Sequence, residues 1–112
     1  MSHTLIELYT ATPAWAALPP EQRTAFFDRI GAGMQHFDPA RITAVAMGRV
    51  LPGVAHGSSE QFYAVWRCES REDADALVEG IAATGWHRYF TTTNALGADD
   101  GMAQHLTDLA AL

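Results

Sequence analysis

Hydrophobic and polar positions change their period several times along the chain, and each change marks an element. In "TLIELYT" (Thr4–Thr10) the residues are β-branched, aromatic or apolar, and the run is short, which predicts a strand. Its alternation sends Leu5, Glu7 and Tyr9 to one face and Ile6 and Leu8 to the other. The following "ATPAWAALPPEQR" is broken by Pro13, Pro19 and Pro20. Proline is tolerated in a first helical turn but not in an interior, so a helix is expected to start at Pro19–Pro20. Trp15 is expected to pin the broken segment over a helix end. Beyond Pro20, Phe27, Ile30, Met34 and Phe37 recur at helical spacing, with Phe26 beside them. "FDP" should close this helix, because the residue before a proline is pushed out of the αR region. Gly31 and Gly33 each cost the helix about 1 kcal/mol relative to alanine. Close approach of another backbone is the expected reason for them.

"RITAVAMGRV" (Arg41–Val50) is apolar on both faces, the pattern of a covered strand. "LPGVAHGSS" (Leu51–Ser59), punctuated by Pro52, Gly53 and Gly57, is a loop. "QFYAVWRCE" (Gln61–Glu69) is a second buried strand, with Phe62, Ala64, Trp66 and Cys68 on one face and Tyr63, Val65 and Arg67 on the other. Ser70 should then cap a helix, with Asp73 in the reciprocal position and acids in the first turn, where the helix dipole favours them. Ala74, Leu77, Val78 and Ile81 form its apolar stripe, and Gly85 is a natural C′ residue. "GWHRYF" (Gly85–Phe90) reads as a junction, with Trp86 folded back over the helix end. "RYFTTTNAL" supplies the last strand. "ADDGMAQHLTDLAAL" closes the chain as a short helix carrying Met102, Leu106 and Leu109 on one side. The order is β-α-β-β-α-β plus a terminal helix, a split βαβ or ferredoxin-like α+β plan with an antiparallel sheet. A chain of 112 residues holds one such domain, 1–112, with no room for a second core.

Charge and composition narrow the partners. The net charge is −6, and the seven arginines, with no lysine, are scattered along the chain. Nucleic acid and an anionic membrane both need clustered cations, so neither is expected as a partner. Cys68 stands alone, which precludes an internal disulfide and fits a reducing compartment. Met1 runs straight into "SHTLIELYT" without a secretory pattern, and no apolar run approaches the roughly 20 residues of a membrane helix. A soluble, cytoplasmic protein is expected.

In a ferredoxin-like plan both helices cover one face of the sheet, leaving the other to solvent or to a partner. Tyr9, Met47, Tyr63 and Trp66 are too many large side chains to hide under two short helices. A second copy, packed face to face through its own sheet, is the expected cover, making a homodimer. On this element order the chain resembles the dimeric α/β-barrel superfamily. That superfamily includes the antibiotic-biosynthesis-type monooxygenases, the muconolactone isomerases, the stress-responsive barrel proteins and several uncharacterised families. The resemblance spans nearly the whole chain and rests on element order and pattern. It implies a dimeric barrel with a small-molecule pocket between the sheet and helices of each protomer, roofed by loops. Chemistry varies widely across such pockets, so a reaction has to be argued from residues.

Glu7 is the first candidate. A carboxylate midway along an apolar strand must be paired, protonated or facing a wet cavity. One reading is an ion pair with Arg67 or Arg49; the other is a general base whose pKa is raised by desolvation. Tyr9, about 7 Å further along the same face, could hydrogen-bond a substrate oxygen or be an ordinary core tyrosine. His56, between Ala55 and Gly57 in the long loop, is a candidate proton-transfer group if that loop roofs the pocket, and otherwise surface. Trp66 is a core residue or a flat platform for a substrate ring. His87 and Tyr89 fall on one side if the chain is already extended there, making them oxygen-polarising and pocket candidates. Asn94 could orient a carbonyl or simply form a turn.

Several chemistries are closed. The histidines at 3, 36, 56, 87 and 105 show no metal-binding spacing, so no metal is expected. No phosphate-binding glycine motif is present, since "GAG" lies within a helix, and Cys68 has no activating partner beyond Arg67. The leading expectation is a cofactor-independent enzyme acting by proton abstraction on a compact apolar or aromatic carbonyl or phenolic compound. Glu7 or His56 would be its base, Tyr9 and His87 would polarise an oxygen, and Trp66, Tyr89 and Asn94 would hold the substrate. The alternative is a non-catalytic dimeric module holding a metabolite in the same pocket. The haem-degrading branch of the superfamily is a third and weaker match. It shares a tryptophan on the third strand, where Trp66 could stand. This chain departs from it in having Glu7 where an asparagine is expected and no histidine between Ser70 and Thr84.

Overall fold

In the computed structural model, which describes residues 2–112, the first strand is central. Strand β1 (His3–Ala11) pairs antiparallel with β3 (Phe62–Cys68) on one side and β4 (Phe90–Ala98) on the other. Strand β2 (Ile42–Arg49) pairs antiparallel with β3, so the order is β2-β3-β1-β4. This is the ferredoxin-like α+β fold, with an open sheet whose edges are β2 and β4. Leu5 lies opposite Trp66 and Leu96, Glu7 opposite Ala64 and Asn94, and Tyr9 opposite Phe62 and Thr92. Directly opposed residues share a face. Leu5, Glu7 and Tyr9 group as the alternation of β1 predicts, Phe62, Ala64, Trp66 and Cys68 as that of β3 predicts, and the register puts both groups on one side.

Helices α2 (Pro20–Met34) and α3 (Arg71–Ala83) cover that side. The core joins Leu5, Ile42, Ala64, Trp66 and Cys68 of the sheet to Ala74 and Leu77 of α3, with Met34, Phe37, Val78 and Ile81 packed against it. In β2 the register shifts between Ala44 and Ala46, which makes Val45 the extra residue of a bulge. The shift brings Met47 opposite Ala64, onto the helix-covered face.

The structure corrects five readings. Strand β2 is an edge strand in which only Ile42 is buried, so the cover its apolar pattern predicts is not supplied from within the chain. Helix α2 ends at Met34, short of "FDP". His36 and Phe37 donate instead to the carbonyls of Gly33 and Met34, three residues back, as the poor helix propensity of two glycines permits. Those glycines do not admit another backbone: a Cβ at Gly31 or Gly33 would meet nothing within 4 Å. The proline-broken segment contains a short helix, α1 (Pro13–Ala16), with Pro13 in its first turn. Finally, Trp86–Tyr89 form one helical turn, α4, and the strand begins only at Phe90. Gly85 at φ 86° ends α3 in the left-handed conformation that favours glycine, as expected, and α4 starts directly after it.

Around that turn the aromatic residues gather into one cluster. Trp15 lies 5.7 Å from Phe26, 5.5 Å from Tyr89 and 4.9 Å from Phe90, measured between ring centroids. Trp86 stacks on Phe90 at 4.2 Å and meets Tyr9 edge-on at 5.1 Å. Its indole N–H donates to Thr92 Oγ1 at 3.0 Å. "GWHRYF" is thus a plug closing one end of the helix layer. The chain ends in α5 (Met102–Ala110), whose apolar stripe is exposed.

The start of α3 is fixed as its sequence predicts. The Asp73 N–H donates to Ser70 Oγ at 3.1 Å, and the Ser70 hydroxyl donates to Asp73 Oδ2 at 3.0 Å. Arg41 Nη2 completes the group, 2.8 Å from Asp73 Oδ2, and ties the helix start to the beginning of β2. Replacing Ser70 by alanine should cost about 1 kcal/mol, read as a lower urea midpoint at unchanged m-value.

Candidate functional site

A cavity of about 640 Å³ lies between the sheet and the helices. Its origin is unequal packing. Helix α3 sits close, with Ala74 and Leu77 fully buried against the strands. Helix α2 has one fully buried residue, Phe26, and that ring goes into the aromatic cluster, not onto the middle of the sheet. At the far end Met34 and Phe37 pack against the core. Helix α2 therefore touches down at two places and bridges the space between. Beneath it, small Ala64 lies between the larger Glu7, Tyr9, Met47 and Trp66, all facing the cavity.

Glu7 is the only buried charged or polar residue among those described, at 4% exposure. The Trp66 indole N–H donates to its Oε1 at 2.7 Å, and no hydrogen bond engages Oε2. The expected ion pair is not formed. Arg67 stands on the opposite face of β3, and the Arg49 guanidinium lies over the Phe62 ring at 5.6 Å. The ion pairs among the described residues are Arg41–Asp73 and Arg71–Asp75, both remote from Glu7. Burial pushes the Glu7 carboxyl above its ordinary pKa of 4.5; the Trp66 hydrogen bond and the charge of His87 pull the other way without prevailing. Tyr9 shares the wall, and burial, followed by the Glu7 charge, raises its phenol above 10.0.

Glu7, Tyr9 and Trp66 thus meet in one cavity. The other candidates stand outside its lining. His56 is exposed in the long loop at φ 56°, a left-handed backbone conformation. His87 is exposed on α4, within electrostatic reach of Glu7. Tyr89 packs on Phe26 and Trp15. Because α4 is helical, residues two apart point roughly 200° away from each other, so His87 and Tyr89 do not share a side. Asn94 is opposite Glu7 on β4 and on the same face, but exposed. His36, which lines the cavity from the turn after α2, was not anticipated as a site residue. Its three-residue spacing along Phe27, Ile30 and Gly33, all lining residues, is the pattern that identifies it.

The fold and cavity define a ferredoxin-like α+β protein with a pocket between sheet and helices. The chain belongs to a family of unknown function, DUF6616, whose model matches residues 2–112. No curated protein matches it. Among solved structures, a chlorite dismutase variant from Candidatus Nitrospira defluvii is similar with a TM-score of 0.69 at 13% identity, over 89% of this chain and 40% of that one. A second variant of the same enzyme gives 0.67 at 14%, over 97% and 47%. A dimeric ferredoxin-like protein of unknown function from Thermobifida fusca gives 0.53 at 16%, over 88% and 92%. This chain spans less than half the length of the chlorite dismutases it matches. At these identities the likeness is one of fold.

The Glu7 environment has a pH signature. With its pKa raised on folding, the carboxyl binds more protons in the native than in the unfolded state, so its own contribution to stability is full below pH 4.5 and is lost as pH rises through the folded value. Urea unfolding between pH 4 and pH 8 should show this fall in the parent protein and its loss in Glu7→Gln. Trp66→Phe removes the one donor and should carry the fall to higher pH.

Proposed function

We propose that the cavity binds a compact, mostly apolar molecule bearing one carbonyl or phenolic oxygen, and that Glu7 is the general base acting on it. The observation that carries this reading is a buried carboxyl, in neither of the ion pairs among the described residues, facing a mostly apolar cavity. A carboxylate whose pKa is raised by burial is a stronger base than one in water. Oε2 would take a proton from the carbon next to the carbonyl, or from the phenol, while the electron pair moves onto the substrate oxygen. Tyr9 on the same wall would donate to that oxygen. The Trp66 N–H would hold Oε1, fixing the carboxylate without consuming the oxygen that reacts. Isomerisation, cyclisation, elimination and oxygenation all begin with this step, and the proton transfer itself needs no cofactor.

The Trp66–Glu7 hydrogen bond also favours a second reading, in which the pair is structural and the cavity only holds a metabolite. A haem group would find no iron ligand on the α3 side of the cavity. The α3 wall offers Gly80, Ile81 and Ala83, with Thr84 just beyond, none able to ligate iron, so His36 and Tyr9 are the lining residues of the type that would have to hold it. Deuterium exchange into 2-tetralone in D₂O separates base from binder. The parent protein should accelerate exchange, and Glu7→Gln should lose about 100-fold of that acceleration while still unfolding cooperatively at pH 7 and no less stable than the parent. A melting shift with 2-tetralone but no exchange would establish the binding module instead.

The chain is further proposed to act as a homodimer through the uncovered sheet face. Ile6 is 42% exposed there opposite Val65, with Leu8 and Tyr63 alongside. Helix α5 exposes Met102, Leu106 and Leu109, and the radius of gyration of 16.0 Å exceeds the roughly 13 Å of a compact chain near this length. One partner would cover both surfaces. Light scattering at micromolar concentration should give twice the 12.2 kDa protomer mass, and Ile6→Glu combined with Val65→Glu should return it to one. A parent protein that is already monomeric excludes this assembly.

A further inference from the structure

We infer that Gly33 sets the size of ligand this cavity admits, and that the ligand extends an apolar body of at least two fused rings from its oxygen at Glu7 toward helix α2. The inference rests on the binding reading above and adds to it the ligand's shape. Gly33 lines the cavity from the last turn of α2, between Ile30 and His36 of the lining. Nothing in the fold demands a glycine there. Its backbone is not among the positive-φ glycines, Gly53 and Gly85, and a Cβ would meet no atom within 4 Å. Other glycines have such reasons. A Cβ at Gly80 would stand 3.0 Å from the Phe37 ring, and one at Gly48 would stand 3.2 Å from the Tyr63 ring. At Gly33 the missing side chain leaves a notch in a wall otherwise built of Phe27, Ile30, Met34 and Phe37.

What the notch accommodates follows from the opposite wall and from volume. Glu7, 4% exposed and with Oε2 unengaged, directs the polar end of a ligand to the sheet. An apolar cavity of about 150 Å³ suffices for benzene, whereas this one measures about 640 Å³. A single ring would leave most of it empty, while fused rings would reach α2, where any side chain at position 33 would meet them. Gly31 is the internal control. It lies in the same helix, is equally open around its Cβ and is not part of the cavity lining.

Phenol and 2-naphthol serve as probes, followed by calorimetry or by naphthol fluorescence. The parent protein should bind 2-naphthol more tightly than phenol. Gly33→Leu should weaken 2-naphthol at least tenfold and phenol less than twofold, with Gly33→Ala moving both in the same direction by less. Gly31→Leu should leave both probes within twofold of the parent. Gly33→Ala and Gly31→Ala should each raise Tm by about 4 °C, because alanine favours a helix where space is free. Equal weakening of both probes by Gly33→Leu, or no weakening of 2-naphthol, overturns the size role while leaving the cavity a binding site. A fall in Tm in Gly33→Ala overturns the claim that the position is open. A parent protein that binds neither probe removes the binding reading and this inference with it.

Discussion

The site depends on how helix α2 is held. It is anchored near its middle by Phe26 in the aromatic cluster, and at its end by Met34, with Phe37 just beyond, against the core. Between those points it spans the sheet without filling the space beneath. A helix normally lays its apolar stripe onto a sheet, each large side chain contributing about 1.5–3 kcal/mol of burial. Here Phe27 stays largely exposed and Ile30 only half-buried. The two glycines weaken the last turn as well, and the helix gives way to a tighter turn at Gln35. The packing the protein forgoes is concentrated over Glu7, Ala64 and Trp66, where the cavity lies.

Glu7 shows which electrostatic effect wins in that space. A hydrogen bond to a charged group contributes about 1.5–3 kcal/mol, while removing a carboxylate from water costs several kcal/mol even after relaxation. One indole donor cannot offset that cost, and the charge of His87 acts from outside the lining. Burial therefore prevails, and the carboxyl holds its proton more tightly than one in water. An arginine paired with Glu7 would have reversed this outcome, but strand alternation sends Arg67 to the far side, and Arg49, on the near side, is turned onto Phe62.

The legible parts of the sequence were those with a local cause. Period-two alternation put Glu7 with Tyr9 on one face of β1 and Trp66 with Ala64 on one face of β3, and Ser70 with Asp73 announced the start of α3 through bonds made within a single turn. The misread parts depend on distant partners or on competing propensities. The pattern of β2 shows that its residues suit burial but not that the cover must come from elsewhere. "WHRY" is rich in strand-favouring rings, yet Gly85 in a left-handed conformation redirects the chain into a helical turn first. His36 was hidden because helical periodicity was counted on large apolar residues, and the cavity stripe runs through a glycine to reach it. An open Gly33 reads from sequence as a point of close approach, whereas in three dimensions it faces empty space.

Strand alternation also separates the two surfaces this fold leaves unfinished. On β1 the odd positions Leu5, Glu7 and Tyr9 face the helices, and the even positions Ile6 and Leu8 face outward, so one backbone thickness divides the cavity from the uncovered sheet face. A register slip of one residue would exchange the two sets completely. It would expose Leu5 and send Ile6 toward Trp66 in place of the carboxylate's neighbourhood. The pairing of β1 with both β3 and β4 therefore fixes the position of Glu7 twice over, from either side. That double constraint is what allows a costly buried carboxyl to sit in the middle of the sheet, and it explains why the central strand carries it and neither edge does.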